Sequence, residues 1–168
     1  VEQEYRRAGI QKEQVDTGAI IITGETSRKE NAAAVLASLS EFAGDFVVAT
    51  AGPDLESVLA AKGAGAVEYA RRTGKTVVHV DIGGGTSNFA LIREGQVAAT
   101  ACLNVGGRLV KLEDKKIVYL SPVLEGLTEL KAGQALTQAQ GQRLCRMLAS
   151  ALEMAVGLRP KTELFDRL

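Results

Sequence analysis

The chain has 168 residues, of which 46% are hydrophobic, and its 20 basic and 20 acidic residues give a formal net charge of zero. This hydrophobic content supports a packed core in one domain or two small lobes, while the balanced charge gives no electrostatic reason to expect a nucleic acid or membrane partner. Aromatic residues make up only 4% of the chain, and alanine and glycine are abundant. This composition favours an α/β fold, with helices packed closely on a sheet, over an all-β sandwich.

The sequence points to a cytoplasmic, reducing compartment. No apolar run approaches the roughly 20 residues that a membrane-spanning helix needs. The two cysteines, Cys102 and Cys145, form neither a disulfide framework nor a metal-ligand cluster.

The first part of the chain alternates strands and helices. A polar helix over 2–8 is followed by short apolar strands at 18–24 and 46–51, with a helix over 27–44 between them. The alternation predicts parallel strand pairing.

A helix rich in small residues is predicted to follow the second strand. It begins at Pro53 with an apolar stripe of Leu55, Val58 and Leu59, weakens over 62–66 and ends at Gly74. Because the composition shifts here, we predict a boundary between a first lobe, residues 1–74, and a second lobe, residues 75–168.

The most informative stretch follows directly. Residues 77–82 are a β-branched run interrupted by His79 and Asp81, and they predict a strand that ends at Gly83-Gly84-Gly85. Successive residues without side chains allow backbone N–H groups to converge on an anion. Thr86 and Ser87 add hydroxyl groups, and Asp81 can hold a metal ion or its water. The stretch therefore predicts a di- or triphosphate site, although a plain hairpin turn remains an alternative at this point.

Two familiar phosphate motifs do not apply. A dinucleotide fingerprint needs a glycine where Asn88 stands, and it needs a following helix rather than a strand. A P-loop ending at Gly74-Lys75-Thr76 would need a glycine at Tyr69.

The rest of the chain predicts two hairpins and two helices. The hairpins turn at Glu94-Gly95 and Asp114-Lys115, and the helices cover 122–130 and 137–156. This half is antiparallel at its start, unlike the first.

The order of these pieces resembles the actin-like ATPase superfamily, which includes the 70-kilodalton heat-shock chaperones, sugar kinases and bacterial actins. In that superfamily a small-residue helix leads to a strand ending D-x-G-G-G-T, then a hairpin, then a glycine pair. The counterparts here are 63–70, 81–86 and Gly106-Gly107. The resemblance implies an α/β, actin-like ATPase (ribonuclease H-like) fold, present in part, with a mixed sheet and flanking helices.

Within the superfamily, residues 21–32 and 51–56 resemble the EutA family of ethanolamine utilization proteins. The likeness covers the whole chain as an interior segment of a longer protein. It implies an ATP- and Mg-dependent chaperone that reactivates adenosylcobalamin-dependent ethanolamine ammonia-lyase by exchanging damaged cobalamin. It further implies a cytoplasmic protein, in some cases associated with a bacterial microcompartment.

The resemblance also implies roles for individual residues. Asp81 matches the metal- or water-holding acid of the second phosphate loop, and Glu56 resembles an acid of related dehydratase activators, which makes both candidate catalytic residues. The candidate phosphate contacts are Gly83, Gly84, Gly85, Thr86, Ser87, Gly106 and Gly107.

Two parts of the superfamily pattern are missing: the first phosphate loop and the later adenosine loop. Because phosphoryl transfer needs charge stabilisation from both sides of the phosphate, we expect this chain alone to bind Mg-ATP weakly and to be inactive as an ATPase. Two other functions remain open, a small-metabolite kinase and a nucleotide-dependent filament or scaffold protein. The sequence also leaves open a homodimer through the free edge of the sheet.

Overall fold

The computed structural model describes residues 2–22, 34–35, 37–38, 47–50 and 52–168. The chain divides into two compact units, Val1–Gly52 and Pro53–Leu168. Of the helix predicted over 27–44, the structure describes only residues 34–35 and 37–38, which are helical. The lobe boundary predicted at residue 74 stays a prediction. None of the helices in the described part of the chain is long and apolar enough to cross a membrane.

The first unit contains a parallel pair of strands. Helix α1 covers Glu2–Ala8 and ends at Gly9, whose φ of 68° is the left-handed conformation common after helices. A 3-10 turn, Lys12–Gln14, leads to β1, Ala19–Ile22, which pairs in parallel with β2, Val47–Thr50. The predicted parallel pairing is confirmed.

The second unit begins with two short helices and continues with a three-stranded antiparallel sheet in the order β3-β4-β5 and a separate hairpin, β6-β7. Its elements are α2 (Pro53–Gly63), α3 (Ala66–Thr73), β3 (Val77–Ile82), β4 (Ser87–Arg93), β5 (Gln96–Leu103), β6 (Val110–Glu113), β7 (Lys116–Leu120), a 3-10 turn (Pro122–Leu124), α4 (Gln138–Ala155) and α5 (Glu163–Asp166).

Helices pack against both faces of the β3-β4-β5 sheet. On one face, Ala90 and Ile92 of β4 pack with Ala61 of α2 and Ala70 of α3. On the other face, Phe89 packs with a set of residues from β5, the segment after it, α4 and the chain end: Leu103, Val105, Ala151 and Leu168. Neighbouring residues of a strand point to opposite faces of the sheet. The contacts of Phe89 and Ala90 therefore show that α4 lies on one face and that α2 and α3 lie on the other.

The apolar stripe predicted for α2 is wrong. Leu55 is 49% exposed and Leu59 is 41% exposed, whereas the buried residues of the helix are Ser57 and Ala61. Small side chains let the helix backbone approach the sheet closely, so volume rather than hydrophobicity decides which side of α2 faces inward.

The helix predicted over 122–130 is also wrong beyond its first turn. After the 3-10 turn the chain reverses at Gly126, where φ is 69°, and Glu125 forms an isolated bridge with Thr128. The Gly126 carbonyl accepts a hydrogen bond of 3.1 Å from the Arg167 guanidinium. A contact between distant residues therefore helps to hold this turn.

Both hairpins turn where the sequence predicted. At the β4-β5 turn φ is 52° for Glu94 and 69° for Gly95, and the β6-β7 turn has positive φ at Asp114 and Lys115. Positive φ at both central positions matches the right-handed twist of the flanking strands.

We expect Gly95→Ala to destabilise the chain by about 2–4 kcal/mol, because the methyl group would combine left-handed strain with overpacking. It would lie 2.7 Å from Cβ of Arg71 on α3. Gly133→Ala is the matched control, since Gly133 also has positive φ but has no atom within 4 Å of such a methyl group. Urea unfolding midpoints measure the difference, and equal losses in the two variants would show that the Arg71 contact is unimportant.

Candidate phosphate-binding site

The three glycines form a corner between β3 and β4. The Gly83 N–H donates a hydrogen bond of 2.8 Å to the Thr86 carbonyl, which closes the reversal. We call residues 83–86 the glycine corner. None of its glycines has positive φ, so these glycines are not needed for left-handed conformations.

A second turn explains why glycine is needed. The N–H of Gly107 donates to the Gly83 carbonyl at 2.9 Å, and that of Arg108 donates to the Gly84 carbonyl at 2.8 Å. A methyl group on Gly106 would overlap the Gly84 carbonyl oxygen and lie 2.7 Å from the Gly85 nitrogen. The predicted glycine pair therefore lies directly against the glycine corner, backbone on backbone.

Four backbone N–H groups where the two turns meet have no hydrogen-bond acceptor among the described residues. They belong to Gly84, Gly85, Thr86 and Gly106. The Gly84 position is exposed, and the other three are half-buried. Unsatisfied, accessible N–H groups that lie close together are suited to bind an anion. The binding of phosphate at these residues stays a prediction.

Asp81 lies one residue before the end of β3, on the sheet face that α2 and α3 cover. It is half-buried and stands opposite Asn88 in the β3-β4 register. No group of three or more His, Cys, Asp or Glu side chains within the described ranges could form a metal cage. A single carboxylate suits Mg²⁺, which keeps several waters and takes other ligands from substrate phosphates.

Asn88 is a residue whose part in the site the sequence reasoning missed. It is only 3% exposed, and its Oδ1 atom has no hydrogen-bond partner in the part of the chain that the structure describes. A buried polar atom without a partner calls for an explanation. Asn88 stands directly across from Asp81, and the alternating pattern of the hairpin could have identified it as a neighbour of that acid.

The Ser87 side chain supports the site rather than lining it. Its hydroxyl is fully buried and donates a hydrogen bond of 2.6 Å to the Val105 carbonyl, just before the glycine pair. This bond fixes the second turn against the first residue of β4. Thr86 remains half-buried at the glycine corner.

Glu56 and His79 lie outside the glycine corner. Glu56 is half-buried in the first turn of α2, not at the glycine corner. His79 stands two residues before Asp81 on the same face of β3, and its Nδ1 is buried without a partner among the described residues.

Two cavities lie away from the glycine corner. One of about 650 Å³ lies between α2 and β5 and is lined by Leu55, Val58 and Val97 among others. Another, of about 260 Å³, lies between residues 127–130 and α4. Neither of these cavities is lined by a residue of the glycine corner.

The chain has the actin-like ATPase fold, which is shared by solved structures. It is similar to a PPX-GPPA enzyme of Aquifex aeolicus, with a TM-score of 0.53 and 21% identity, over 91% of this chain and 44% of that chain. A second structure, of the Aquifex aeolicus member of the Ppx/GppA family, matches with a TM-score of 0.52 and 18% identity, over 92% of this chain and 42% of that one.

The family follows from the sequence comparison. The model of the family described as ethanolamine utilisation protein EutA matches residues 1–168, and the chain belongs to this family. It is 53% identical over 117 residues to the ethanolamine ammonia-lyase reactivase EutA of Salmonella typhimurium. It is 51% identical over 118 residues to the protein of the same name from Escherichia coli K12. These matches cover 69% and 70% of this chain but only 25% of each relative's length.

Proposed function

We propose that this chain is part of an ATP-dependent chaperone that reactivates adenosylcobalamin-dependent ethanolamine ammonia-lyase by exchanging damaged cobalamin for the intact cofactor. The partner in this proposal is supported by the names of the two enterobacterial relatives, which are more than 50% identical to the chain over the matched residues. The proposal places the protein in the cytoplasm or in a microcompartment where ethanolamine is degraded.

One observation carries the nucleotide part of the proposal: the backbone N–H groups of Gly84, Gly85, Thr86 and Gly106, near the contact between the two turns, have no acceptor among the residues that the structure describes. Phosphate oxygens are strong acceptors and would satisfy several of these groups at once. In this proposal Asp81 holds Mg²⁺ through its carboxylate or a bound water. The magnesium ion would neutralise charge on the phosphates of ATP.

The remaining residues have different parts in the proposal. The Ser87 hydroxyl is proposed to hold the second turn in place, because it already donates to the Val105 carbonyl. The Thr86 hydroxyl is proposed to contact phosphate at the glycine corner. Glu56 on α2 is proposed as a second acid, and because α2 packs on the sheet that carries the glycine corner, it would act from the same unit. Lobes on either side of the nucleotide would close around the phosphates. Closure and opening would move the surface that contacts the lyase.

The test is reactivation by the full-length protein. Lyase inactivated with a damaged cobalamin should recover turnover when the full-length protein, ATP, Mg²⁺ and free adenosylcobalamin are all present. Omitting ATP, or replacing it with ADP, should leave the lyase inactive. Recovery that is equally fast without nucleotide would contradict the ATP requirement, and the absence of any recovery would contradict the proposal.

Two other results would redirect the assignment. Phosphoryl transfer from ATP to a small acceptor would favour a metabolite kinase, and nucleotide-dependent sedimentation without an effect on the lyase would favour a filament protein. Sedimentation also reports whether the full-length protein forms a homodimer.

A further inference from the structure

A basic residue lies against the glycine corner. Arg108 directly follows the Gly106-Gly107 pair, and its backbone N–H is bonded to the Gly84 carbonyl. A methyl group on Gly84 would lie 3.5 Å from Arg108 Cδ, 3.7 Å from its Cβ and 3.8 Å from its Cγ. The aliphatic part of Arg108 therefore runs along Gly84.

The positive charge of Arg108 is close to the corner and is not neutralised by a described residue. Its guanidinium carbon is only two bonds beyond Cδ, and the residue is exposed. In the part of the chain that the structure describes, no carboxylate lies within 4.0 Å of this guanidinium. By contrast, Arg71 and Arg159 have carboxylate partners at 2.8 and 2.7 Å.

We propose that Arg108 binds the polyphosphate of the nucleotide at the glycine corner, an inference that rests on the proposed function. The planar guanidinium can donate two parallel hydrogen bonds to phosphate oxygens. The backbone N–H groups would bind phosphate oxygens, and both Mg²⁺ at Asp81 and the Arg108 guanidinium would neutralise the charge of the polyphosphate.

The packing of Arg108 makes it better suited to this task than an ordinary surface arginine. Its backbone is fixed by the hydrogen bond to Gly84, and its stem is held against a residue that has no side chain. Less conformational freedom is therefore lost when the guanidinium binds an anion.

Titration calorimetry of the full-length protein with Mg-ATP tests the inference. We expect Arg108→Ala to weaken binding about tenfold to a hundredfold, because a charge-assisted hydrogen-bond pair is lost. Arg108→Lys keeps the positive charge but loses the paired N–H donors of the planar guanidinium, so it should recover part of the affinity. Arg93→Ala is the matched control: it removes the same charge at the opposite end of β4, about 20 Å away, and should bind like the parent protein. Urea midpoints check that the variants remain folded.

The outcomes separate this inference from the proposed function. If the parent protein binds Mg-ATP and Arg108→Ala binds as well as Arg93→Ala, the role of Arg108 is refuted and the nucleotide site stands. If the parent binds tripolyphosphate but not Mg-ATP, and Arg108→Ala loses that binding, the arginine role stands and the nucleotide function is refuted. Failure of the parent protein to bind either ligand would overturn both.

Discussion

Asp81→Ala is expected to reduce ATP-dependent reactivation by the full-length protein on the order of a hundredfold or more, while leaving the protein folded. The proposed role of Asp81 is to hold Mg²⁺ beside phosphate bound at the glycine corner. Loss of one preorganised electrostatic group in such a site commonly has an effect of this size. The residue is half-buried and is not part of either apolar cluster, so the free energy of unfolding should change by less than about 1 kcal/mol.

Two further variants make the Asp81 result specific. Asp81→Asn keeps the size of the side chain and removes its charge, so it should be nearly as inactive as the alanine variant if the carboxylate acts on Mg²⁺. Asp16→Ala removes the same type of side chain from an exposed position in the first unit and should leave reactivation unchanged. Full activity of Asp81→Asn would mean that the charge is not needed.

Gly106→Ala is expected to destabilise the chain by about 3 kcal/mol, because its methyl group would overlap backbone atoms of Gly84 and Gly85. A rotamer change cannot relieve a contact with backbone, so the two turns would have to separate. For a chain of this size the loss corresponds to a Tm lower by about 6–12 °C. Mg-ATP binding by the full-length variant should be lost as well, since the open N–H groups would be displaced.

Gly107→Ala provides a control one residue away. A methyl group there would come no closer than 3.9 Å to another atom, the Gly83 carbonyl oxygen, and the backbone φ is not positive. We expect it to change the free energy of unfolding by less than about 1 kcal/mol. Similar losses for the two variants would mean that the contact between the turns does not determine stability.

Local signals in the sequence were sufficient for the hairpins and for β3. The β-branched run from Val77 predicts a strand, the three glycines predict its end, and Glu94-Gly95 predicts the next turn. Each of these features depends on neighbouring residues alone, and the structure confirms each of them.

The failures have a different physical origin. Leu55 and Leu59 were predicted to face the core because they are hydrophobic, yet close approach of α2 to the sheet places Ala61 and Ser57 inside. The turn at Gly126 depends in part on Arg167, which lies 41 residues away. Neither effect is encoded in a short window of sequence.

Some residues of the candidate site could likewise be recognised from local sequence, whereas others depend on contacts between distant parts of the chain. The glycine corner and Asp81 were recognisable because their residue types are restricted by local geometry and chemistry. The burial of Asn88, the hydrogen bond that occupies Ser87 and the packing of Arg108 on Gly84 all arise from strand pairing and from the contact between two separate turns. The hairpin pattern could have indicated that Asn88 lies beside Asp81, but its burial and the contacts of Ser87 and Arg108 could be assigned only once the three-dimensional arrangement was known.

The two hydrogen bonds that join Gly83 and Gly84 to Gly107 and Arg108 have a mechanical consequence. Any shift of the first turn pulls on the second, and β6 starts at Val110, two residues past Arg108. The β6-β7 hairpin is thus connected through backbone hydrogen bonds to the place where phosphate is proposed to bind. A movement of the glycine corner after loss of a terminal phosphate would therefore shift this hairpin without the help of side chains.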